Sequence, residues 1–282
     1  GIPAGVVNLV YGVPAEISTY LIASPVIRKI SFTGSTEVGK HLAGLAAQRM
    51  IPSTMELGGH APVIVFEDAD LDLAVLLSGA SKDRNAGQIC IAPTRFYVHD
   101  SVHDAFVEKL SAYAASLNIG PGLDPATNMG PLANPRRLTA MHEFVADARQ
   151  HGADVAAGGE GPDGPGNFWK PTLLTDVPNS ARIMNEEPFG PVAVTQRFGS
   201  FDEVVAQANR LPYGLAAYAY TRSARTAADI GDALEAGMIG INFSILTGPE
   251  TPFGGVKESG HGSEGGVEGL EAYHVVKYVA QG

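Results

Sequence analysis

The chain has 282 residues, of which 45% are hydrophobic and 17% charged, and its formal net charge is −11. This composition predicts a globular protein of one large or two ordinary domains with a substantial core, and it excludes a disordered chain. The acidic balance argues against nucleic acid and against an anionic membrane surface as partners, because both require a basic face.

Targeting and redox features are few. The single cysteine, Cys90, excludes an intrachain disulfide and favours a reducing, cytoplasmic compartment. No apolar run reaches the roughly 18 residues of a membrane span, and the first residues lack the basic segment of a signal peptide. The chain begins at Gly1 rather than at a methionine, so we expect that this is not a natural translation start.

Strands and helices alternate in the predicted element order. The first 84 residues are predicted as strand Val6–Tyr11, helix Ala15–Ala23, strand Arg28–Phe32, helix Glu37–Met50, strands Ser53–Leu57 and Ala61–Phe66, and helix Leu73–Arg84. Helices Val102–Ala115 and Arg136–His151, strands Thr172–Val177 and Val192–Phe198, helices Asp202–Asn209 and Ala224–Leu234, and strand Ile239–Ser244 follow. The intervening stretches 118–135, 158–167 and 247–266 are predicted loops, and Ala272–Val279 is β-prone. Alternation of this kind predicts an α/β fold of Rossmann-like parallel sheets with helices on both faces.

An acidic run, Asp68-Ala69-Asp70-Leu71-Asp72, precedes one predicted helix. Its spacing is similar to that of a calcium-binding loop, but position six is Leu73 instead of glycine and position twelve is Gly79 instead of glutamate. Helix capping is therefore the favoured interpretation. The histidines do not cluster at metal-ligand spacing, so no metal site is predicted.

Cys90 lies in the segment NAGQICIAP. A lone cysteine is commonly an inert part of the core. Here, however, Gly87 permits close approach of backbone, and Pro93 ends any helix soon after. A thiol on such an irregular segment can be reached by a ligand, and nearby backbone N–H groups can hold an oxyanion. Cys90 is therefore a candidate nucleophile.

Two glutamates are candidate partners for this cysteine. Glu56 precedes Gly58-Gly59 at the end of a predicted strand, which is where α/β proteins place ligands, although a surface carboxylate explains the local pattern equally well. Glu187, in the segment EEPFGP, has a backbone fixed by proline and glycine, which suits a rigid ligand contact. The local sequence around Glu187 slightly favours a solvated loop.

The segment Thr33–Gly39 joins a predicted strand to a helix. Free N–H groups at the helix start can hold a pyrophosphate. The segment lacks the full dinucleotide fingerprint, however, and an ordinary N-cap by Ser35 or Thr36 explains it equally well.

Five segments, taken together, resemble motifs of the aldehyde dehydrogenase superfamily in their order and spacing. They are FTGSTEVGK at Phe32–Lys40, MELGGHAP at Met55–Pro62, NAGQIC at Asn85–Cys90, EEPFGPV at Glu186–Val192 and PFGGVKESG at Pro252–Gly260. The resemblance covers essentially the whole chain. The closing residues and the run NAGQICIAPTRFYV are most similar to the succinate-semialdehyde dehydrogenase branch.

The resemblance implies a role for each candidate residue. Cys90 would attack the aldehyde carbon to give a thiohemiacetal, hydride would pass to NAD or NADP, and Glu56 would activate the water that hydrolyses the remaining thioester. The implied cofactor-binding residues are Gly34, Ser35, Leu57, Glu187 and Phe189. The implied substrate-channel residue is Phe253.

The resemblance also implies a division of the chain. Residues 1–58 would be the C-terminal part of an NAD(P)-binding domain, 59–246 a catalytic domain, 247–269 a return crossing loop and 270–282 an oligomerisation strand. The N-terminal part of the cofactor domain is expected to be absent, which would leave the last strand as an exposed edge. We expect a small aldehyde as substrate and a homodimer or homotetramer for the full-length protein.

Alternative functions and one alternative residue role remain open. Cys90 and Glu56 would also suit cofactor-free hydrolysis of activated esters, and the chain would also suit a non-catalytic fragment that assembles with relatives through its tail. Arg95 is a possible clamp for the carboxylate of succinate semialdehyde, but its strand-like surroundings, Thr94–Val98, favour a structural salt bridge.

Overall fold

The computed structural model describes all 282 residues. Its helices are α1 Pro14–Ala23, α2 Thr36–Ala47, α3 Leu71–Asp83, α4 His103–Ala115, α5 Pro135–Gln150, α6 Phe201–Ala208, α7 Ala224–Ala233 and α8 Glu268–Glu271. Its strands are β1 Ile30–Thr33, β2 Ser53–Glu56, β3 Ala61–Val65, β4 Pro93–His99, β5 Asp154–Ala157, β6 Thr172–Thr175, β7 Val192–Phe198, β8 Tyr213–Gly214, β9 Ala216–Tyr220, β10 Met238–Ile241, β11 Val256–Lys257 and β12 Gly260–His261. Short 3₁₀ turns cover Arg84–Gly87 and Arg182–Met184.

The larger sheet has seven strands in the order β10-β9-β3-β4-β7-β6-β5. Every pairing is parallel except that of the edge strand β5, which runs antiparallel to β6. Alternate side chains face opposite sides, so Ile64 packs in a core with α5, α6 and α7, while Val63 and Val65 pack in a second core with α3 and α4. The predicted α/β architecture with helices on both faces is confirmed.

The smaller sheet has three strands in the order β1-β2-β12. Strands β1 and β2 are parallel and joined by α2, whereas β12 arrives from near the end of the chain and runs antiparallel to β2. A small third core of Ile22, Leu42, Met55 and their neighbours supports this layer. Only residues 57–60 separate β2 from β3, so the two sheets meet at the carboxyl end of β2.

Helix α3 begins at a side-chain cap. Asp70 accepts a hydrogen bond from the Leu73 N–H at 3.1 Å, and Asp68 accepts one from the Thr221 hydroxyl at 2.8 Å. The aspartates of the acidic run therefore cap the helix and bind a neighbouring loop, and the capping interpretation is confirmed.

Two predicted strands are not formed. Val6–Tyr11 has no strand, and Tyr11 is 88% exposed, because no neighbouring strand pairs with these residues. The β-prone tail Ala272–Val279 likewise forms no ladder within the chain. Its part in an oligomer, like the four-part division of the chain, stays a prediction.

Five strands were not predicted, namely β5, β8, β9, β11 and β12. The loop predicted over 247–266 contains β11 and β12, which pair with β8 and β2. Strand β9 was missed because its sequence, AAYAY, is rich in alanine, which strands disfavour. The helices are all too short or too polar to cross a membrane.

Candidate active site

The candidate site lies where the two sheets meet. Glu56 is the last residue of β2, while Cys90 and Glu187 lie in the connections that precede β4 and β7. The carboxyl end of a strand in the smaller sheet therefore faces the amino ends of strands in the larger sheet. Sequence reasoning placed Glu56 at a strand end and Cys90 on an irregular segment, and both placements are confirmed.

The segment before Cys90 is an irregular turn. Asn85, Ala86 and Gly87 have φ values of 52°, 53° and 68°, a left-handed run that ends α3. The Asn85 side chain donates to the Gln88 carbonyl at 3.1 Å, and the Gln88 side chain donates back to the Asn85 carbonyl at 2.9 Å. Left-handed non-glycine residues are strained, and such strain is concentrated at functional sites.

Gly87 and Gly59 fix the position of this turn. A Cβ on Gly87 would lie 2.2 Å from the Gly190 carbonyl oxygen, and one on Gly59 would lie 2.7 Å from the Cys90 carbonyl oxygen. The nucleophile candidate is thus wedged between the EEPFGP segment and the residues that follow β2. These two close contacts with backbone oxygens explain why glycine is needed at positions 87 and 59.

Cys90 is half-buried and unpaired. Burial raises the pKa of its thiol, and the charges of Glu187 and Glu56 act in the same direction. Hydrogen bonds from the backbone N–H groups of Cys90 and Ile91 partly offset this shift. The same N–H groups point towards the sulfur, so they lie beside the position where the carbonyl oxygen of an aldehyde would become an oxyanion in a thiol addition.

Glu56 is a buried carboxyl without hydrogen-bond partners. Its side chain is 3% exposed, and neither of its oxygens has a hydrogen-bond partner. Burial, helped by the charge of Glu264, raises the pKa of Glu56 to about 8. A carboxyl that is protonated near neutral pH and has both oxygens free is suited to proton transfer.

Glu187 faces the turn after β2. Its Oε1 accepts a hydrogen bond from the Gly59 N–H at 3.1 Å. Burial raises the pKa of Glu187 to about 7, while the Gly59 N–H and the charges of Arg137 and Lys82 oppose the rise. The solvated-loop interpretation is therefore wrong for Glu187, because its side chain points into the protein. The neighbouring Glu186 is exposed and forms a salt bridge with Arg182.

Two of the segments predicted to bind the cofactor, the one with Glu187 and the start of α2, meet at Gly58. A Cβ on Gly58 would lie 2.6 Å from Glu187 Oε2 and 3.2 Å from Thr36 Oγ1, so the absence of a side chain here lets Glu187 and the start of α2 approach each other closely. At that start, Gly34 donates its N–H to the Glu56 carbonyl at 3.0 Å, and Ser35 caps the helix by accepting from the Val38 N–H at 3.4 Å. The N-cap interpretation of Ser35 is confirmed.

The remaining residues predicted for the site are Leu57, Phe189 and Phe253. The Leu57 side chain packs so tightly on α2 that a Cβ on Gly39 would lie 2.2 Å from it. Phe189 is half-buried with a φ of 43°. Phe253 is half-buried, packs against the same core cluster as Cys90, and its N–H donates to the Glu264 carbonyl at 2.6 Å.

These residues fit a nicotinamide dinucleotide. The start of α2 can offer the N–H groups of Thr36 and Glu37 to a pyrophosphate, and the adjacent residues Gly34 and Ser35 are exposed. The absence of a side chain at Gly58 lets the Glu187 carboxylate approach the start of α2, and this carboxylate has acceptor capacity left for ribose hydroxyls.

Arg95 has a structural role. It is 1% exposed, and its guanidinium donates to the carbonyls of His60, Gln207 and Ala208 at 3.0–3.1 Å. The structural interpretation is confirmed, but the partners are backbone carbonyls and the Tyr97 hydroxyl instead of the expected carboxylate.

Sequence reasoning missed several residues beside Cys90. Arg84, Tyr218 and Ser244 line a small cavity with the two isoleucines that flank Cys90. The Tyr218 hydroxyl donates to the Ile91 carbonyl at 2.8 Å. Arg84 lies next to the NAGQIC segment and was therefore findable, whereas Tyr218 and Ser244 come from distant elements that carry no local signal.

Two α/β layers meet at the carboxyl end of β2, and strand ends of this kind are where α/β proteins bind ligands. Comparison with known proteins gives the family: residues 1–279 match the aldehyde dehydrogenase family, and the chain belongs to it.

Similar proteins match nearly the whole chain. The chain is 50% identical over 278 residues to the 4-(hydroxymethyl)benzenesulfonate dehydrogenase of Comamonas testosteroni, covering 99% of the chain and 58% of that protein. It is 46% identical over 282 residues to a succinate-semialdehyde dehydrogenase (NADP(+)) of Escherichia coli strain K12, and this match covers 100% of the chain and 58% of that protein. The crystal structure of succinate-semialdehyde dehydrogenase from Burkholderia pseudomallei matches with a TM-score of 0.97 at 44% identity. This match covers 99% of the chain and 58% of that structure's chain. The chain thus spans a little over half the length of these relatives.

Proposed function

We propose that the protein oxidises an aldehyde to a carboxylic acid with NAD+ or NADP+ through Cys90. The observation that carries this proposal is the meeting of one half-buried cysteine with Glu56, whose two buried oxygens have no hydrogen-bond partner. Membership of the aldehyde dehydrogenase family supports the same reaction class.

The first step belongs to Cys90. Its thiolate attacks the aldehyde carbon, a C–S bond forms, and the carbonyl oxygen becomes an oxyanion that the Cys90 backbone N–H stabilises. Acceptance of hydride is the chemistry that the nicotinamide ring supplies when bound, and it leaves a thioester on Cys90.

The second step belongs to Glu56. The ionised carboxylate takes a proton from water, the resulting hydroxide adds to the thioester carbon, and the C–S bond breaks to release the acid and the thiolate. A carboxyl with a pKa of about 8 and free oxygens is suited to this exchange.

Five residues would hold the cofactor. Gly34 and Ser35 would contact its pyrophosphate at the start of α2, and Glu187 would accept hydrogen bonds from ribose hydroxyls. Leu57 and Phe189 would pack beside the nicotinamide. The close approach of Glu187 to Thr36 at Gly58 supports this arrangement, because one ligand could contact both.

We propose an aldehyde with an acid group at its far end as the substrate, such as succinate semialdehyde. Both similar enzymes described above are named for substrates that carry a carboxylate or a sulfonate. Arg84 is an exposed cation at the cavity beside Cys90, which suits an anionic group, and Phe253 would line the aldehyde channel.

The test is reduction of NAD+ and NADP+ by succinate semialdehyde and by butanal. We expect Cys90→Ser to abolish both reactions. Arg84→Gln should raise the KM for the semialdehyde about tenfold and leave that for butanal unchanged, because it removes one charge-assisted contact. Activity that survives in Cys90→Ser would overturn the nucleophile assignment, and equal effects on the two aldehydes would overturn the substrate class.

Cofactor-free ester hydrolysis is a second candidate, since the hydrolytic step uses only Cys90 and Glu56. We expect slow turnover of p-nitrophenyl acetate that requires both residues. Turnover that is unchanged in Cys90→Ser would remove this candidate and leave the first one intact.

A further inference from the structure

Ser259 is fully buried in the turn between β11 and β12. Its hydroxyl accepts a hydrogen bond from the Gly214 N–H at 3.0 Å and donates to the Gly58 carbonyl at 2.7 Å. Its own carbonyl accepts the Leu57 N–H at 3.0 Å. One serine therefore joins the crossing loop to β8 and to the residues directly after Glu56.

Close packing leaves this side chain little freedom. A Cβ on Gly255 would lie 2.7 Å from the Ser259 Cβ, and one on Gly260 would lie 1.8 Å from the Met55 carbonyl oxygen. Gly260 also has a φ of +127°, which only glycine adopts readily. The hydroxyl is thus held against the Gly58 carbonyl.

The Gly58 carbonyl and the Gly59 N–H belong to one planar peptide unit. The carbonyl accepts a hydrogen bond from the Ser259 hydroxyl, and the N–H donates one to Glu187 Oε1 at 3.1 Å. A donor at the carbonyl oxygen polarises the N–H and fixes its direction, so hydrogen bonds on both sides of a peptide strengthen each other. A continuous chain of hydrogen bonds therefore runs from Gly214 through Ser259 to Glu187.

We propose that Ser259 is a positioning residue that orients the Gly58–Gly59 peptide and, through it, the Glu187 carboxylate. The effect of Ser259 on cofactor binding rests on the proposed function, in which Glu187 binds the cofactor. The hydrogen-bond chain itself does not depend on that role. Because Gly59 also packs against the Cys90 carbonyl, the same peptide borders the nucleophile.

Alkylation of Cys90 gives a readout that needs neither cofactor nor turnover, because Cys90 is the only thiol in the chain. The ionised Glu187 opposes ionisation of the thiol, so the rate of iodoacetamide labelling should show an inflection near pH 7 in the wild type. Glu187→Gln should remove it. Other titratable groups also lie close to Glu187 or Cys90 and are unchanged in these variants. They are Arg137, Lys82, Glu56 and Tyr213.

Ser259→Ala should move this inflection upwards by about half a pH unit, because the ionised Glu187 loses support from the Gly59 N–H. Binding of NAD+ or NADP+ should weaken about fivefold to tenfold. The double variant Ser259→Ala/Glu187→Gln should bind the cofactor no more weakly than Glu187→Gln alone, since Ser259 acts through Glu187.

Ser78→Ala is the matched control. Ser78 is also fully buried, and its hydroxyl also donates to a backbone carbonyl, that of Ala74 on α3. Like Ser259→Ala, it should lower the melting temperature by a few degrees, but it should leave the inflection in place. An inflection that stays at its wild-type position in Ser259→Ala, or additive losses in the double variant, would overturn the proposal.

Hydrogen exchange decides the case if Ser259→Ala does not fold. Glu187→Gln should accelerate exchange of both the Gly59 and the Gly214 amides, since both belong to one hydrogen-bond chain. Acceleration at Gly59 alone would overturn the proposal. If the wild type binds no nicotinamide cofactor, the proposed function fails, while the labelling and exchange results still decide the role of Ser259.

Discussion

At the scale of single residues, Glu56 and Glu187 hold protons at pH values at which exposed glutamates are ionised. Their pKa values are raised to about 8 and about 7, mainly by burial. The folded chain therefore binds more protons than the unfolded chain above pH 4.5, the ordinary value for glutamate. Stability linked to these groups falls as the pH rises from there through their folded pKa values.

Glu56→Gln should remove much of this penalty. At pH 9 we expect the free energy of unfolding to rise by about 2 kcal/mol or more, because each unit of pKa shift corresponds to about 1.4 kcal/mol. At pH 5 the difference should nearly disappear. Urea unfolding at the two pH values measures both. Glu186→Gln, at the exposed neighbour of Glu187, is the control and should show no gain at pH 9.

The rate of aldehyde oxidation should rise with pH through about 8, because Glu56 must lose its proton to act as a base. The sign follows from the raised pKa: protonated Glu56 predominates below it and cannot accept a proton. A kcat profile between pH 6 and pH 10 tests this expectation. A profile that is flat across this range in the wild type would contradict it.

At the scale of elements, the turn after α3 determines where Cys90 lies. Its sequence predicted an irregular segment from Gly87 and Pro93. The left-handed Asn85 and Ala86 were not predictable, because neither residue requires that conformation by itself. Their conformation is imposed by packing of Gly87 against Gly190.

Gly87→Ala should displace this turn. The added Cβ would lie 2.2 Å from a backbone oxygen, at a φ of +68°, so we expect a loss of about 2 kcal/mol in the free energy of unfolding and faster labelling of Cys90. Gly44→Ala is the control, since Gly44 lies in α2 with nothing within 4 Å of the added Cβ. It should be neutral or stabilising by up to about 1 kcal/mol. Equal effects of the two substitutions would contradict the packing argument.

Sequence predicted the elements whose signals are local. The apolar strands β3 and β7 and the capped helix α3 came close to their observed bounds. The segment 6–11 was predicted as a strand from β propensity alone, and it fails because no partner strand is present. The five motif segments indicated which residues would gather at the site. The contacts of Ser259 and Tyr218 were beyond reach, because they join residues more than 120 positions apart.

At the scale of the whole molecule, the three cores differ greatly in size. The larger sheet is enclosed by clusters of 26 and 17 buried residues, whereas the three-stranded layer rests on only 6. Less buried apolar surface means less stabilisation against local opening. Amide exchange should therefore be faster in β1 and β2 than in β3 and β4, and the reverse order would contradict this ranking.

The tail is the most exposed apolar segment near the three-stranded layer. Val275, Val276 and Tyr278 are 92%, 103% and 89% exposed. We propose that this segment pairs with a second copy in a homodimer or homotetramer, as an unpaired β-prone edge favours. Val276→Lys should lower self-association in sedimentation experiments. Leu123→Lys, at an equally exposed loop position, should not, and equal effects of both would contradict a specific role for the tail.

Mass spectrometry of Glu56→Gln after a single addition of succinate semialdehyde and NAD+ or NADP+ tests the joint role of Cys90 and Glu56 most directly. Without its base, the thioester should persist, so we expect a succinyl adduct on the peptide that contains Cys90. The wild type should show little of it, and Glu56→Gln/Cys90→Ser none. Absence of the adduct from Glu56→Gln, or its presence on another residue, would contradict a mechanism in which Cys90 is the nucleophile and Glu56 the base.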